Sequence, residues 1–268
     1  MRGGHAGASY ASKRIIVADL DGTLAESKSP IDAEMAALIG RLLRHKNFAV
    51  ISGGRYQQFH EQMISRLPYA DEWLSGLYIF PTNATSFYRF AGGVWRQVYA
   101  ENLTVEEKDR VYDALKPALK EAGFEKPQIV YGDIVEDRGT QITFSALGQK
   151  APLALKAKWD PDAAKRRKIK GALERLIPDF EIGIGGTTSI DISRKGIDKA
   201  YGIRRIQEHL MYSLGEMLYI GDALFEGGND FPVKRAGVDC VQVGGVADTK
   251  RVLGRIIADV ESGGRPTP

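Results

Sequence analysis

Apolar runs alternate with amphipathic segments along the first third of the chain. The run RIIVADL is followed by a segment with Met35, Leu38 and Leu42 at helical spacing, and then by FAVISGG, a second helical segment and GLYIFPTN. Short apolar runs of this kind are typical of strands buried on both faces. Strand, helix, strand, helix, strand predicts a parallel sheet with helices on both faces. The same style returns near the C-terminus, where helical segments flank EMLYIGDA and CVQVGG.

The middle of the chain has a different pattern. TSFYRF, GVWRQVYA, QIVYGDIVEDRG and TQITFSAL are short, alternating and aromatic, and glycine turns separate them, as in an antiparallel sheet. Thr104 and Glu107 form a capping-box pattern that predicts a helix start, and a further helix is predicted from Asp160 to just before Pro178. The sequence therefore predicts an α/β fold, a Rossmann-like parallel-sheet core that carries an inserted α/β cap.

This change of pattern sets the predicted domain boundaries. The core is assigned to residues 14–84 and 189–262, and the cap, with its antiparallel sheet and helices, to residues 85–188. Residues 1–13 and 263–268 are rich in small and polar residues, so both are predicted to be disordered tails.

Composition narrows the class of function. Hydrophobic residues make up 43% and charged residues 26%, and the net charge of +3 is too small to indicate nucleic-acid binding. The basic run around Arg166 also carries Ile169 and Leu173 at helical spacing, so it is predicted to be the wet face of a helix. The single Cys240 leaves no internal disulfide and fits the cytoplasm, and no apolar stretch is long enough to cross a membrane. We expect a small-molecule substrate, no nucleic acid and no membrane; a homodimer is one open alternative for the oligomeric state.

Polar residues follow three of the predicted core strands. The first ends in Asp19-Leu20-Asp21, the second in Ser52-Gly53, and a later one in Gly221-Asp222. Ligands of open parallel sheets bind outside the carboxyl ends of the strands. Carboxylates suit a hard cation such as Mg²⁺, and a hydroxyl next to glycine suits phosphate oxygens. This edge of the sheet is therefore predicted to bind a phosphoryl group.

Electrostatics makes a cation part of this prediction. A dianionic phosphate about 4 Å from an ionised Asp19 would be repelled by roughly 8 kcal/mol at an effective dielectric constant of 20. One lysine would offset about half of this repulsion, and a divalent ion most of it. The segment SRKGIDKA offers two lysines, Lys195 and Lys199, for that supporting charge. Attack by Asp19 therefore predicts a requirement for Mg²⁺.

The motif DLDGTL resembles the nucleophile motif of the haloacid-dehalogenase superfamily of phosphatases and phosphomutases. Within that superfamily, GGTTSIDIS, GIDKAYGI and GDALFEGGND are similar to segments of the eukaryotic-type α-phosphomannomutases, and RGTQITFSALG resembles a strand of their insert. The resemblance extends from about Ile15 to Val243.

The resemblance implies roles for the residues at the strand ends. Asp19 would be the nucleophile that forms an aspartyl-phosphate, and Asp21 the general acid and base. Asp19 is expected at a solvent-facing strand end, so replacing it by asparagine is expected to abolish turnover with little effect on folding. Ser52 would hydrogen-bond the phosphoryl group, and Lys199, favoured over Lys195, would be the cationic stabiliser. Asp222 would bind the metal together with Asp19 and the Asp21 backbone carbonyl. Asn229 and Asp230 would support the metal.

The resemblance also implies substrate contacts, from Gly53 in the core and from Arg138, Ser189 and Asp191. For Arg138 a surface ion pair with the neighbouring Glu136 or Asp137 is the rival interpretation. These contacts would hold a sugar phosphate.

Two positions depart from the mutase pattern. Gln149 and Tyr131 stand where the mutases are expected to have arginines for a distal phosphate, and Lys150 would not reproduce a bidentate arginine. The main prediction is therefore a Mg²⁺-dependent phosphatase or phosphotransferase acting on sugar phosphates. The alternatives are a phosphomannomutase that interconverts mannose 6-phosphate and mannose 1-phosphate, and an inactive sugar-phosphate binding module.

Overall fold

The computed structural model describes residues 10–67 and 71–262. Two short 3₁₀ turns, 64–66 and 214–216, accompany the regular elements. The strands and helices, numbered in chain order, are β1 Ile15–Ala18, α1 Ala33–Leu43, β2 Asn47–Ile51, α2 Tyr56–Gln62, α3 Asp71–Leu74, β3 Leu77–Phe80, the one-turn α4 Pro81–Ala84, β4 Ser86–Ala91, β5 Val94–Ala100, α5 Val105–Glu121, β6 Val135–Asp137, β7 Ile142–Ser145, α6 Leu153–Trp159, α7 Ala164–Leu176, β8 Phe180–Gly185, β9 Ser189–Arg194, α8 Lys199–Leu210, β10 Met217–Gly221, α9 Phe231–Arg235, β11 Asp239–Gln242 and α10 Val246–Glu261.

The predicted parallel sheet is present, with strand order β11-β10-β1-β2-β3-β4-β5. The five strands from β11 to β3 are parallel, and β1 lies between β10 and β2, with Ile16 opposite both Leu218 and Phe48. All four residues of β1 are fully buried, which explains why its sequence is uninterrupted and apolar. The carboxyl ends of these parallel strands meet at one edge, where the candidate site lies.

Helices cover both faces of this sheet. On one face α1 and α10 pack together, and Met35, Ile39 and Leu253 join the buried cluster there. On the other face Ile203 of α8 and Tyr219 of β10 belong to a second buried cluster. The two-sided burial confirms the predicted α/β core.

The sheet membership of three strands differs from the predicted boundaries at 85 and 188. The hairpin β4–β5 extends the seven-stranded sheet in antiparallel fashion, whereas β9 pairs with β7 and β8 in a separate four-stranded sheet of order β6-β7-β9-β8. An alternating hairpin sequence looks alike in either sheet, because the partner strand is distant in sequence. The division into two domains itself stays a prediction.

Helices α5 and α7 cover the four-stranded sheet through a third buried cluster that includes Leu115, Leu173 and Phe144. The capping box predicted at Thr104 is present, with the Glu107 amide donating to Thr104 Oγ1 at 3.2 Å. In residues 10–67 and 71–262, no helix is both long and apolar enough to span a membrane.

The predicted tails are described only in part. Residues 1–9 and 263–268 lie outside the described residues. Tyr10 and Lys13, assigned to the N-terminal tail, are buried, and Lys13 Nζ donates to the Gly215 carbonyl at 2.7 Å and pairs with Asp239. The prediction of disorder is wrong for residues 10–13, because the buried Tyr10 ring and this ion pair fix them to the core.

Candidate active site

Asp19, Lys199 and Asp230 form a closed, buried network at the carboxyl edge of the sheet. Asp19 follows β1, Lys199 begins α8, and Asp230 precedes α9. The Lys199 ammonium lies 2.8 Å from Asp19 Oδ1 and 2.5 Å from Asp230 Oδ1. Tyr219 also donates its hydroxyl to Asp230 Oδ1 at 2.5 Å, and the Ala223 amide donates to Oδ2 at 3.0 Å. The structure therefore places Lys199 beside the predicted nucleophile, whereas Lys195 is exposed.

Asp222 completes a cluster of three carboxylates. One oxygen each of Asp19, Asp222 and Asp230 lies within 4.8 Å of the others. Thr23 fixes Asp222, because its hydroxyl donates to Asp222 Oδ1 at 3.2 Å and accepts from the Asp222 amide at 3.1 Å. Gly22 has φ +88°, and a Cβ there would lie 2.6 Å from Asp222 Oδ2, so the close approach requires glycine.

The donor set fits Mg²⁺. Carboxylate oxygens are the ligands a hard cation prefers, and three ionised carboxylates with the Lys199 ammonium leave two negative charges uncompensated. Both Asp230 oxygens already accept hydrogen bonds, so Asp19 and Asp222 are the freer ligands. Asn229 is exposed in the loop before α9.

The pKa directions follow from this crowding. Burial raises the pKa of Asp19 above its usual value, and the charges of Asp230 and Asp222 add to the rise while Lys199 opposes it. Burial also disfavours ionisation of Asp230, but Lys199 and the hydrogen bonds to that carboxylate outweigh it and lower its pKa. Asp230 is thus held as the anion that orients Lys199.

Asp19 is 3% exposed, so the expected solvent-facing position is wrong. The chain after β1 turns back over it, with the Leu24 and Ala25 amides donating to the Leu20 carbonyl at 2.9 and 3.0 Å. Lys199 closes the site from α8. The local sequence pattern around Asp19 gave no sign that this side chain would be buried.

Asp21 lies in a different environment. It is half-buried, and its Oδ1 accepts from the Lys28 amide at 2.7 Å and from Gln62 Nε2 at 3.0 Å. Asp19 contacts an ammonium and Asp21 contacts neutral amides, so the two carboxylates differ in surroundings. Such a difference suits distinct chemical roles.

The Ser52 turn follows β2 at the same edge. Ser52 is buried, and its hydroxyl accepts from the Gly54 amide at 3.3 Å. A Cβ added at Gly53 would lie 2.9 Å from Asp191 Oδ2. The core turn and the four-stranded sheet therefore approach each other closely at Gly53.

The predicted contacts Arg138, Ser189 and Asp191 lie in or beside the four-stranded sheet. Arg138 donates to Glu136 Oε2 at 2.8 Å and to the Gly53 carbonyl at 2.6 Å, with its side chain 4% exposed. It forms an ion pair with Glu136, but a buried one that reaches the core. Asp191 accepts from the Thr143 hydroxyl at 2.8 Å, and burial raises its pKa although Arg138 opposes the rise. Ser189 is buried, with its hydroxyl 2.8 Å from that of Ser145.

Comparison with known proteins gives the family. The family model for eukaryotic phosphomannomutase matches residues 35–258. The chain belongs to this family. A phosphomannomutase of Encephalitozoon cuniculi is 26% identical over 268 residues, covering 94% of this chain and 96% of the relative. The phosphomannomutase of Saccharomyces cerevisiae is 24% identical over 224 residues, covering 82% and 84%.

Solved structures show the same fold at low identity. A Plasmodium falciparum IMP-nucleotidase superposes with a TM-score of 0.69 at 17% identity, covering 91% of this chain and 70% of that one. A haloacid dehalogenase-like hydrolase from Bacteroides thetaiotaomicron gives 0.57 at 17% identity, covering 91% and 99%. The family model confirms the predicted resemblance to the phosphomannomutases, a family of enzymes, and the solved structures confirm the predicted haloacid-dehalogenase-like fold.

This chain has a cationic cluster around Gln149 (the Gln149 cluster) that no sequence motif indicated. Lys28 Nζ donates to Gln149 Oε1 at 2.7 Å, Arg138 Nη2 to the same oxygen at 3.4 Å, and Lys156 Nζ to the Gln149 carbonyl at 3.1 Å. Burial, followed by the charges of Lys156 and Arg138, lowers the pKa of Lys28 to about 8. Gln149 Nε2 is buried without a hydrogen-bond partner among the described residues.

A cavity of about 260 Å³ adjoins this cluster, lined among others by Lys28, Gln62, Gln149 and Lys156. Lys28 and Gln62 also contact Asp21, so the cavity lies next to the predicted acid and base. Lys150 lines it but is exposed. No motif marked Lys28 or Lys156, and the contact of Lys28 with Gln149 joins residues that are 121 positions apart in the sequence.

Proposed function

We propose that this protein is a Mg²⁺-dependent phosphatase or phosphotransferase that acts on sugar phosphates through an aspartyl-phosphate at Asp19. The observation that carries the proposal is the Asp19–Lys199–Asp230 network with Asp222 beside it, at the carboxyl edge of the parallel sheet. Family membership supports a sugar phosphate as the substrate.

In the proposed reaction, an Asp19 carboxylate oxygen attacks phosphorus, and the bond from phosphorus to the sugar oxygen breaks. Asp21 gives its proton to the leaving oxygen. It then takes a proton from the acceptor, whose oxygen attacks the aspartyl-phosphate and restores Asp19. Bound Mg²⁺ would supply the charge that lets two anions approach, with Asp19, Asp222 and the Asp21 carbonyl as proposed ligands and Asn229 and Asp230 in support.

The other residues hold the phosphoryl group and the sugar. Lys199 would offset charge on the phosphoryl oxygens, and Ser52 with the Gly53 backbone would hydrogen-bond them. Arg138, Ser189 and Asp191 would hold the sugar phosphate from the side of the four-stranded sheet. Arg138 and Asp191 lie at Gly53 itself, which supports this assignment.

Water is the acceptor we favour. Gln149 takes the place where a mutase is expected to have an arginine for the distal phosphate, and hydrolysis needs no such clamp. Phosphomannomutase activity is the second candidate. It is supported by the family match and by the three cations that converge on Gln149.

Incubation with mannose 1-phosphate and Mg²⁺ separates the candidates. Release of free phosphate is expected for a phosphatase, and formation of mannose 6-phosphate without phosphate release for a mutase. The assay includes a hexose bisphosphate, because a mutase must turn over a bisphosphorylated intermediate. No turnover of any phosphomonoester would contradict both and favour an inactive binding module.

The proposal also covers the cellular location and the oligomeric state of the protein. We infer a cytoplasmic location, because the single Cys240 fits a reducing compartment. A homodimer remains the proposed alternative to a monomer, and sedimentation of the purified protein would decide between them.

A further inference from the structure

The one-turn segment α4, Pro81–Ala84, joins β3 to β4 next to the Ser52 turn, and its backbone is left-handed rather than regular α-helix. Thr82, Asn83 and Ala84 have φ of 50°, 54° and 68°. Residues other than glycine rarely adopt this region, although asparagine tolerates it better than most. Three such residues in succession persist only where the surroundings hold them, and such segments concentrate at functional sites.

Contacts on several sides hold the turn. The Thr82 amide donates to the Gly54 carbonyl at 2.9 Å and the Asn83 amide to the Ser52 carbonyl at 3.0 Å. The Tyr99 hydroxyl donates to the Ala84 carbonyl at 2.8 Å. The turn is therefore attached to the backbone that carries Ser52, and the direction of the Asn83 side chain is fixed with it.

The Asn83 side chain lies beside Gly53 and Asp191. A Cβ added at Gly53 would lie 2.9 Å from Asp191 Oδ2 and 3.8 and 3.9 Å from Nδ2 and Oδ1 of Asn83. An amide and a carboxylate from different parts of the fold thus both lie within 4 Å of that Cβ position, next to the Ser52 turn. Asn83 is half-buried, and within residues 10–67 and 71–262 its side-chain amide has no hydrogen-bond partner.

We propose that Asn83 is a substrate-binding residue whose side-chain amide and the Asp191 carboxylate together bind hydroxyl groups of the sugar. The inference rests on the proposed function and adds a specificity-determining residue to it. An amide offers both a donor and an acceptor, and a carboxylate offers acceptors only. The pair therefore matches neighbouring hydroxyls, each of which donates one hydrogen bond and accepts others.

The test compares mannose 1-phosphate with p-nitrophenyl phosphate, which has no sugar hydroxyls. Asn83→Gly keeps the left-handed backbone and removes the amide. We expect the ratio of kcat/KM for the sugar phosphate to that for p-nitrophenyl phosphate to fall roughly fivefold to tenfold, mainly through KM. Asn83→Asp keeps the size but adds a carboxylate beside Asp191, so a larger fall is expected.

If Asn83 had only a structural role, Asn83→Gly would leave sugar selectivity and KM unchanged, because glycine suits a positive φ best. Met211→Gly is the matched control, since Met211 has φ 59° and is 81% exposed at the end of α8. That variant is expected to keep the wild-type ratio.

An unchanged ratio in Asn83→Gly would overturn the inference alone. Absence of wild-type turnover on both compounds would overturn the proposed function and this inference together.

Discussion

The carboxylate network and the Gln149 cluster are both charged and largely buried, but they differ in how far their charges are matched. In the network, the Lys199 ammonium contacts two carboxylates, and Asp230 accepts from three donors. In the Gln149 cluster, three cationic side chains share one neutral residue. Neither Lys28 nor Lys156 forms an ion pair with a carboxylate of the described residues.

The difference separates two tasks. The network, in which the Lys199 ammonium contacts both carboxylates, is fixed before substrate arrives, as reacting groups must be. A cluster with surplus donors and a free Gln149 Nε2 can still accept an anion. We infer that the core network performs the chemistry and that the Gln149 cluster adjusts to the substrate.

Replacing the nucleophile should give the largest effect. Asp19→Asn is expected to lower phosphate release by at least about a thousandfold, because an amide oxygen does not form the aspartyl-phosphate. Without Mg²⁺ the variant should melt no lower than the wild type. Burial raises the pKa of Asp19, so its ionised form costs folding free energy at neutral pH, and Lys199 keeps Asp230 as a partner.

Asp109→Asn, on the exposed surface of α5, is the matched control and should retain full turnover. Wild-type turnover by Asp19→Asn would show that the network is not the reacting centre and would remove the contrast between the two regions.

Removing the cation should have the next largest effect. Excess chelator is expected to abolish turnover and Mg²⁺ to restore it. Because a ligand that binds only the folded state stabilises it, Mg²⁺ at a hundredfold excess over its Kd should raise the melting temperature by about 5–10 °C. Asp222→Asn should weaken this shift. Full activity in chelator would contradict a metal at the core network.

The polar residues that directly follow core strands could be placed at one edge of the sheet from the sequence. Parallel strands place their carboxyl ends at one edge, so Asp19, Ser52 and Asp222 could be brought together from local patterns alone. Lys199 needed the resemblance as well, since Lys195 is a lysine only four positions before Lys199, the first residue of α8. In the structure Lys199 is buried against Asp19, whereas Lys195 is exposed.

The Gln149 cluster and Asn83 could not be predicted in this way. Lys28 reaches Gln149 across a separation of 121 residues in the sequence. Lys156 is only 7 residues from Gln149 but belongs to no recognised motif. Asn83 sits in a left-handed turn that contains no glycine, so the usual signal of a positive φ was absent. The segments that form β4 and β5 were predicted as antiparallel strands of the insert, whereas they extend the seven-stranded sheet, because strand pairing is a long-range property.

Opposite substitutions at Gln149 test the cluster at a smaller scale. Gln149→Arg removes the shared acceptor and adds a fourth cation, so we expect a lower melting temperature and roughly tenfold tighter binding of a hexose bisphosphate. Gln149→Glu gives Lys28 a carboxylate partner, so we expect a higher melting temperature and weaker binding. Calorimetric titration and thermal melts check both. Affinity that is unchanged in both variants would mean that no anion binds at Gln149.

The smallest expected effect comes from a variant that touches neither region. Thr104→Ala removes the hydroxyl that accepts from the Glu107 amide at the start of α5, and loss of such a cap costs about 1 kcal/mol. For a chain of this size the melting temperature should fall by about 2–4 °C. The kinetic constants should stay at wild-type values, because a slightly weaker α5 changes neither the charges at Asp19 nor those at Gln149. If KM for the sugar phosphate rose with this loss of stability, weakened packing of the four-stranded sheet alone would be enough to change substrate binding. The changes in affinity of the Gln149 variants would then not support a difference in charge between the carboxylate network and the Gln149 cluster.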